Sequence, residues 1–402
     1  MNTQIEYLRE RLDSVGASYD EIKKALSTLR IGIGDWCTLG AINRFRTDPQ
    51  PGGARTAFER VADMALINRF CGMVGGVTIN AFPVFSTATD RLDEYVQHVK
   101  ESGITVASVQ PNSVRDPAFG GGSITAQAES VRSRFFDHVG DSIGLAHRLD
   151  ARSITLWFAD GTNYPGETLF ADRIALIRSQ LKRIYDATPH PLEIHLEYKL
   201  FEPATYHTDI ADWGSAFAMA SACGPRMKVL VDVGHHAQAT NVEHIVASLV
   251  HFGRLGSIHM NSRKYADDDL NVASINPYEL FLVLKEIARS DDPNRYQLTL
   301  DEFHVSKLPL VGVMQSIVAT ATLYAKALAV NRQMLQDVAR SGRADIGDAH
   351  LQDVFQIDVR PLIGELLGDR GFDPDPVAAL SRSSQFADAM KQRNVQPVRF
   401  GA

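Results

Sequence analysis

Eight short β-rich runs, each followed by a segment with apolar residues at helical spacing, constrain this chain more than any other feature. The runs are RIGIG (Arg30–Gly34), GVTIN (Gly76–Asn80), ITVASVQ (Ile104–Gln110), SITLWF (Ser153–Phe158), LEIHLE (Leu192–Glu197), KVLVD (Lys228–Asp232), GSIHM (Gly256–Met260) and QLTLD (Gln297–Asp301). Segments such as EHIVASLVHFGRL after the sixth run and PYELFLVLKEIARS after the seventh carry the helical period. Strands joined through helices return the chain to the same end of the sheet, so they lie parallel. Eight such units predict an α/β fold, a closed (β/α)8 TIM barrel rather than an open doubly wound sheet.

From Pro309 onward no β-rich run returns, and GVMQSIVATATLYAKALAVNRQMLQDVARS and DIGDAHLQDVFQIDVRPLIGELLGDRG read as helices. The expected division is therefore a barrel with an N-terminal helix over 1–308, and a helical extension over 309–402 that serves as a possible oligomerisation arm. A net charge of -7 without a basic run argues against a nucleic-acid partner and for a small molecule. Three cysteines at wide spacing, Cys37, Cys71 and Cys223, suggest neither a disulfide framework nor a thiolate metal site, which fits a reducing cytoplasm. The charged, helix-periodic N-terminus does not read as a leader, and no later segment is expected to be apolar for the length a bilayer requires.

In a parallel barrel the C-terminal strand ends converge on one mouth, so polar residues there face the ligand site. The last four strands finish in or near Glu197, Asp232, His259 and Asp301. A single acid at such a position is more often a helix cap, and a single histidine more often a hydrogen-bonded core residue. Three carboxylates and an imidazole in one shared register are different, because burying them together without a cation is costly. The donor set suits manganese, magnesium or cobalt, with zinc as a further candidate. Close by, His235 follows Asp232 by three residues, and Asp267 and Asp269 share a face if their loop is extended; with a shared carboxylate they form a candidate second metal site. An acidic loop capping the next helix is the plainer reading of DDD. Lys199 shares a face with Glu197 and is placed to polarise a substrate oxygen or to neutralise the acids. Trp36, Phe45 and Trp157 are candidate aromatic walls for a sugar ring, although core packing is the commoner reason for any one of them.

The stretches SITLWFADGTNYPGE, HLEYKLFEPATY, VLVDVGHHAQATNVEHIVASL, IHMNSRKYADDDLN and LTLDEFHV resemble, in order, motifs of bacterial L-rhamnose isomerases within the xylose-isomerase-like barrel superfamily. The resemblance covers about Trp36 to Asp301 and extends in character into the helical tail. It implies two divalent ions per subunit, Mn2+ first, and no organic cofactor: Glu197, Asp232, His259 and Asp301 at a structural ion, and His235, Asp267 and Asp269 at a catalytic one, with Asp232 serving both. It further implies that Asp301, Lys199 and His235 carry the chemistry, that Trp36 and Trp157 wall the sugar, and that the protein is a homotetramer. The activity implied is aldose–ketose isomerisation by a metal-assisted hydride shift on an open-chain monosaccharide, L-rhamnose to L-rhamnulose or a related aldose. One departure stands out: Asn80, in VTINAFPVF, occupies the approximate position of a family histidine near the sugar, which puts ring opening or substrate choice in question. A sugar 3-epimerase on the same barrel and a non-catalytic carbohydrate-binding relative are the alternatives. The DDD loop with His235 speaks against the first, and the full complement of candidate ligands against the second.

Overall fold

The computed structural model describes residues 2–39, 52–87, 89–202, 206–264, 267–289, 292, 294–304 and 307–393. Phe45 lies outside the described residues. Eight parallel strands form one sheet: β1 (Gly32–Ile33), β2 (Val77–Asn80), β3 (Val106–Gln110), β4 (Ser153–Leu156), β5 (Glu193–Glu197), β6 (Met227–Asp232), β7 (Leu255–Met260) and β8 (Gln297–Leu300). Their spatial order is β1-β8-β7-β6-β5-β4-β3-β2. The ring is completed by single parallel bridges from Ile31 to Val74 and from Gly34 to Thr78, which join β1 to β2. All eight predicted strands are thus present, with ends that differ from the predicted ones by at most two residues, and the (β/α)8 barrel is the fold.

These runs form strands because both faces of a barrel strand are covered, the inner by the opposite wall and the outer by helices, so β-branched and aliphatic residues fill consecutive positions. Ile33, Ile79, Val109, Ile194, Val231 and Ile258 are fully buried. The helices start where side chains supply the missing acceptors: the Thr56 side chain accepts from the Glu59 N–H at the head of Ala57–Cys71, and Asn241 accepts from His244 at the head of Val242–His251. A short antiparallel hairpin, Phe201–Glu202 with Tyr206–His207, stands just beyond β5 and was not predicted.

The helix Pro309–Leu328 follows β8 and packs against Pro277–Ile287 and Tyr19–Thr28. It corrects one expectation, since by length and composition it is apolar enough to cross a membrane. Two-thirds of that stretch is buried inside the fold, so its apolar surface is used in the core. The helices after it, from Arg332–Arg340 to Ser384–Gln392, contain no strand among the described residues. Among the contacts that tie them back to the rest of the fold are two clusters of ion pairs. Tyr19 Oη donates to Glu365 at 2.7 Å while Lys23 reaches Glu365 at 2.5 Å and Asp369 at 2.7 Å. Arg393 forks onto Asp63 through two bonds of 2.8 and 2.7 Å, both side chains being buried.

Candidate metal centre and sugar pocket

The register of the sheet brings the strand ends into one plane. Asp232 is the cross-strand neighbour of His259, and Leu300, the residue before Asp301, pairs with Met260. The Asp301 N–H continues the ladder onto the Met260 carbonyl at 3.1 Å. His259 Nδ1 then lies 3.0 Å from Asp301 Oδ2, 3.2 Å from Glu197 Oε1 and 3.8 Å from Asp232 Oδ2. One donor atom from each of these four residues lies within 4.8 Å of all the others.

A second group shares Asp232 and adds His235 and Asp267, again with one donor atom from each within 4.8 Å of the others. His235 Nδ1 lies 2.8 Å from the Tyr198 carbonyl; with the proton placed there, Nε2 is the lone-pair atom facing Asp267, at 3.2 Å. Gly234 makes this turn possible. Its N–H donates to Asp232 Oδ1 at 2.6 Å, and a Cβ at that position would sit 3.0 to 3.1 Å from oxygens of Asn261, Asp232 and Asp267. Among the described residues Asp269 stands outside both groups: its backbone is left-handed, with φ +47°, and its carbonyl accepts the Phe303 N–H at 2.9 Å. That kink breaks the alternation by which Asp267 and Asp269 were expected to point the same way.

The electrostatics express a demand for positive charge. Burial, helped by the carboxylates of Asp301, Asp267 and Glu197, pushes the Asp232 carboxyl up to about 7. Burial works against the charged form of His235, but Asp232 and Asp267 overcome it and lift the imidazole to about 9. His259 is likewise opposed by burial and is raised by Glu197 and Asp301. Burial works to raise Asp301, yet its bond to His259 holds the carboxyl below the usual carboxylate range. Oxygen-rich acids at this density fit a divalent cation, which would take over the charge that protonated imidazoles otherwise supply.

Lys199 is buried against two acids, Asp267 at 2.5 Å and Glu202, and stands 5.6 Å above the Trp157 ring. Trp36 donates its indole N–H to Asp301 Oδ1 at 2.6 Å and meets the His259 ring edge-on. The cavity at this wall, about 480 Å³ with its open mouth included, is lined by Trp36, Asn80, Trp157, Glu197, His235 and Asp301. Asn80 donates its backbone N–H to buried Asp35 at 3.2 Å, and its side-chain oxygen accepts from Phe82 at 3.1 Å. The cavity is also lined by residues that sequence reasoning passed over: Gln110 at the end of β3, Asn112, Val114 and Arg115 in the loop after it, and Phe303 after β8. The signal was available, because the strand-end rule that selects Glu197 and Asp232 applies equally to Gln110.

An acid and imidazole cluster at the C-terminal mouth of a parallel barrel, able to hold a metal ion, defines a class: (β/α)8 proteins whose candidate site lies at the strand ends. The family model described as xylose isomerase-like TIM barrel matches residues 74–295, more than half of the chain, and the chain belongs to that family. It is 30% identical over 398 residues to a probable sugar isomerase of Mesorhizobium japonicum, covering 96% of this chain and 91% of that protein. It is 29% identical over 400 residues to a probable sugar isomerase of Rhizobium meliloti, covering 96% and 92%. Among solved structures, 3-keto-D-glucoside 4-epimerase from E. coli superposes with a TM-score of 0.51 at 12% identity, covering 73% of this chain and 98% of that one, a likeness of fold.

Proposed function

We propose that the protein is a divalent-metal-dependent aldose–ketose isomerase acting on a free monosaccharide, with L-rhamnose the first sugar to test. The observation that carries this reading is the pair of donor groups joined through Asp232 on the wall of an open, aromatic-flanked cavity. Glu197, Asp232, His259 and Asp301 would hold one ion, and Asp232, His235 and Asp267 a second, with Asp269 as a further donor. A divalent cation, manganese first and cobalt, magnesium or zinc as substitutes, would supply Lewis-acid polarisation of two neighbouring sugar oxygens.

The remaining chemistry belongs to the chain. Asp301 has one carboxylate oxygen fixed by Trp36 and the other by His259, and it is the part-exposed member of its group, so Oδ2 is the atom placed to exchange a proton with a substrate hydroxyl. Lys199, held by Asp267 and Glu202, presents a fixed positive charge beside the sugar oxygens. Trp36 and Trp157 offer apolar faces to the sugar and limit water on that side. A carboxylate partnered in this way accepts a proton without moving, which suits transfer within one bound substrate. The names of the two relatives favour isomerisation over epimerisation. A homotetramer in the cytoplasm, with the helices beyond residue 308 as the assembly arm, completes the proposal.

The test is ketose formation from L-rhamnose and a panel of aldoses, using EDTA-stripped protein before and after manganese is restored. Manganese-dependent conversion is expected; protein that binds manganese and converts no aldose would overturn the reading.

A further inference from the structure

Arg115, in the wall of the candidate pocket, is a cation without an ion-pair partner among the described residues; Asp35, the acid whose charge reaches it, is paired with Arg60. It follows β3, and in the ring order β3 lies across the barrel from β7, which carries His259. The loop that bears it is tightly fixed. Asn112 Oδ1 accepts the backbone N–H groups of Val114 and Arg115 at 3.0 and 2.7 Å, the Asn112 N–H donates to His138 Nε2 at 3.1 Å, and Ser113 Oγ donates to the Trp157 carbonyl at 3.1 Å. The guanidinium is therefore presented to the cavity by a preorganised turn rather than by a loose arm.

Each acid that could neutralise it is committed elsewhere. Asp35 binds Arg60 through Oδ2 at 3.2 Å and the Asn80 N–H through Oδ1 at 3.2 Å. Asp116 binds Arg134 at 2.5 Å and caps the turn at Ala118. Glu197 and Asp301 face the same cavity but are engaged with His259. Among the described residues no carboxylate pairs with Arg115. Its charged neighbours are Arg60 and Asp35; burial first, then the like charge of Arg60, pushes the guanidinium down to about 10 against the opposing pull of Asp35, so it is still charged at neutral pH. Beside it, Gln110 is more than nine-tenths buried, and its side-chain oxygen has no hydrogen-bond partner among the described residues.

A guanidinium in a partly desolvated wall that shares one acid with a second arginine is better satisfied when a further anionic group arrives. One planar fork matches a carboxylate, which it can grip with two parallel bonds, while the open Gln110 oxygen beside it suits a sugar hydroxyl; a phosphate is more commonly met by several cations or by a helix N-terminus. We infer that the pocket takes an aldose bearing a carboxylate, a hexuronate-type sugar acid, and that Arg115 reads that group. The inference rests on the isomerase reading above and departs from it in the choice of sugar. With C1 and C2 at Asp301 and Glu197, a hexuronate carries its carboxylate at the far end of the chain, on the side of the mouth where Arg115 stands.

The test uses the manganese-loaded full-length protein and pairs of sugars that differ only at C6: D-glucuronate with D-glucose, and D-galacturonate with D-galactose, with D-glucose 6-phosphate as a separate arm. Calorimetric affinity and ketose formation are measured side by side. At least one uronate is expected to bind about tenfold or more tightly than its hexose, the scale of one charge-assisted bidentate contact. Arg115→Gln should lower that uronate-to-hexose ratio by about tenfold, and Arg115→Lys should restore part of it. Equal affinity within both pairs, a ratio unmoved in Arg115→Gln, or tighter binding of the phosphate than of either uronate overturns the inference. A uronate that binds in this Arg115-dependent way and yields no ketose leaves the inference standing and sinks the isomerase reading. Conversion of neutral aldoses without any uronate preference does the reverse.

Discussion

At Asp301 two opposing demands meet, since burial favours the protonated acid while His259 and Trp36 favour the carboxylate, and the second side prevails. A carboxylate so stabilised is suited to donate an oxygen to a cation. Asp301→Asn keeps the shape and removes the charge, so manganese binding by calorimetry should weaken by 100-fold or more and turnover should vanish; unchanged binding would remove Asp301 from the ligand set. Lys199 carries a different risk. It was expected from sequence to sit beside the acids, and it is buried between Asp267 and Glu202. Removing one partner of a buried ion pair leaves charge uncompensated, so Lys199→Ala should cost about 3 kcal/mol in urea unfolding, and adding Asp267→Asn should recover part of that loss. Full stability in the single variant would show that the acids find their compensation without the lysine.

Among the elements, β5 bears charge at both ends, Glu197 at the mouth and Glu193 at the base. Burial alone would raise Glu193, but His195 at 3.3 Å and Lys228 at 2.8 Å bring its carboxyl down to about 2. The folded form therefore prefers the carboxylate more strongly than the unfolded chain does. The stability this contributes is fully present above the ordinary pKa of 4.5 and is lost as pH falls from there toward 2. Glu193→Gln should flatten the acid limb of a stability–pH curve in that window while changing stability at pH 7 by only a fraction of a kcal/mol, because solvent screens this half-exposed pair. A curve that keeps its slope would assign the acid limb to other groups. The loop after β7 shows what spacing does not supply: Asp267 and Asp269 were expected to share a face of an extended loop, and the backbone at Asp269 is left-handed.

Over the whole molecule, ion pairs fasten the C-terminal helices to helices of the N-terminal part of the chain. Arg393 and Asp63 are buried together, and burial still holds the Asp63 carboxyl up at about 6, against the pull of Arg393. In Arg393→Ala the acid loses its partner and can escape the penalty only by protonation. Unfolding at pH 8 should then be easier by about 3 kcal/mol, and by clearly less at pH 5, where Asp63 is neutral. An equal loss at both pH values would mean that Arg393 acts through packing. Metal loading acts at the same scale, because an ion that binds only the folded form stabilises it by about 2.7 kcal/mol at 100 times its dissociation constant. Adding manganese to EDTA-stripped protein should raise the melting temperature accordingly, and no shift would argue against a preformed centre.

The sequence by itself determined the barrel, because apolar runs of strand length separated by helical periods can bury their backbone polar groups in few other ways. It also determined the Glu197, Asp232, His259 and Asp301 group, whose positions follow once strand ends are known to converge. Only the tertiary structure decided which loop residues join them. Asp267 meets His235, Lys199 is locked by a glutamate on an unpredicted hairpin, and Arg115, distant in sequence from the acids, faces the same cavity. Strand positions follow a period that can be read along the chain, whereas loop side chains are placed by local backbone angles and by contacts between segments far apart in sequence.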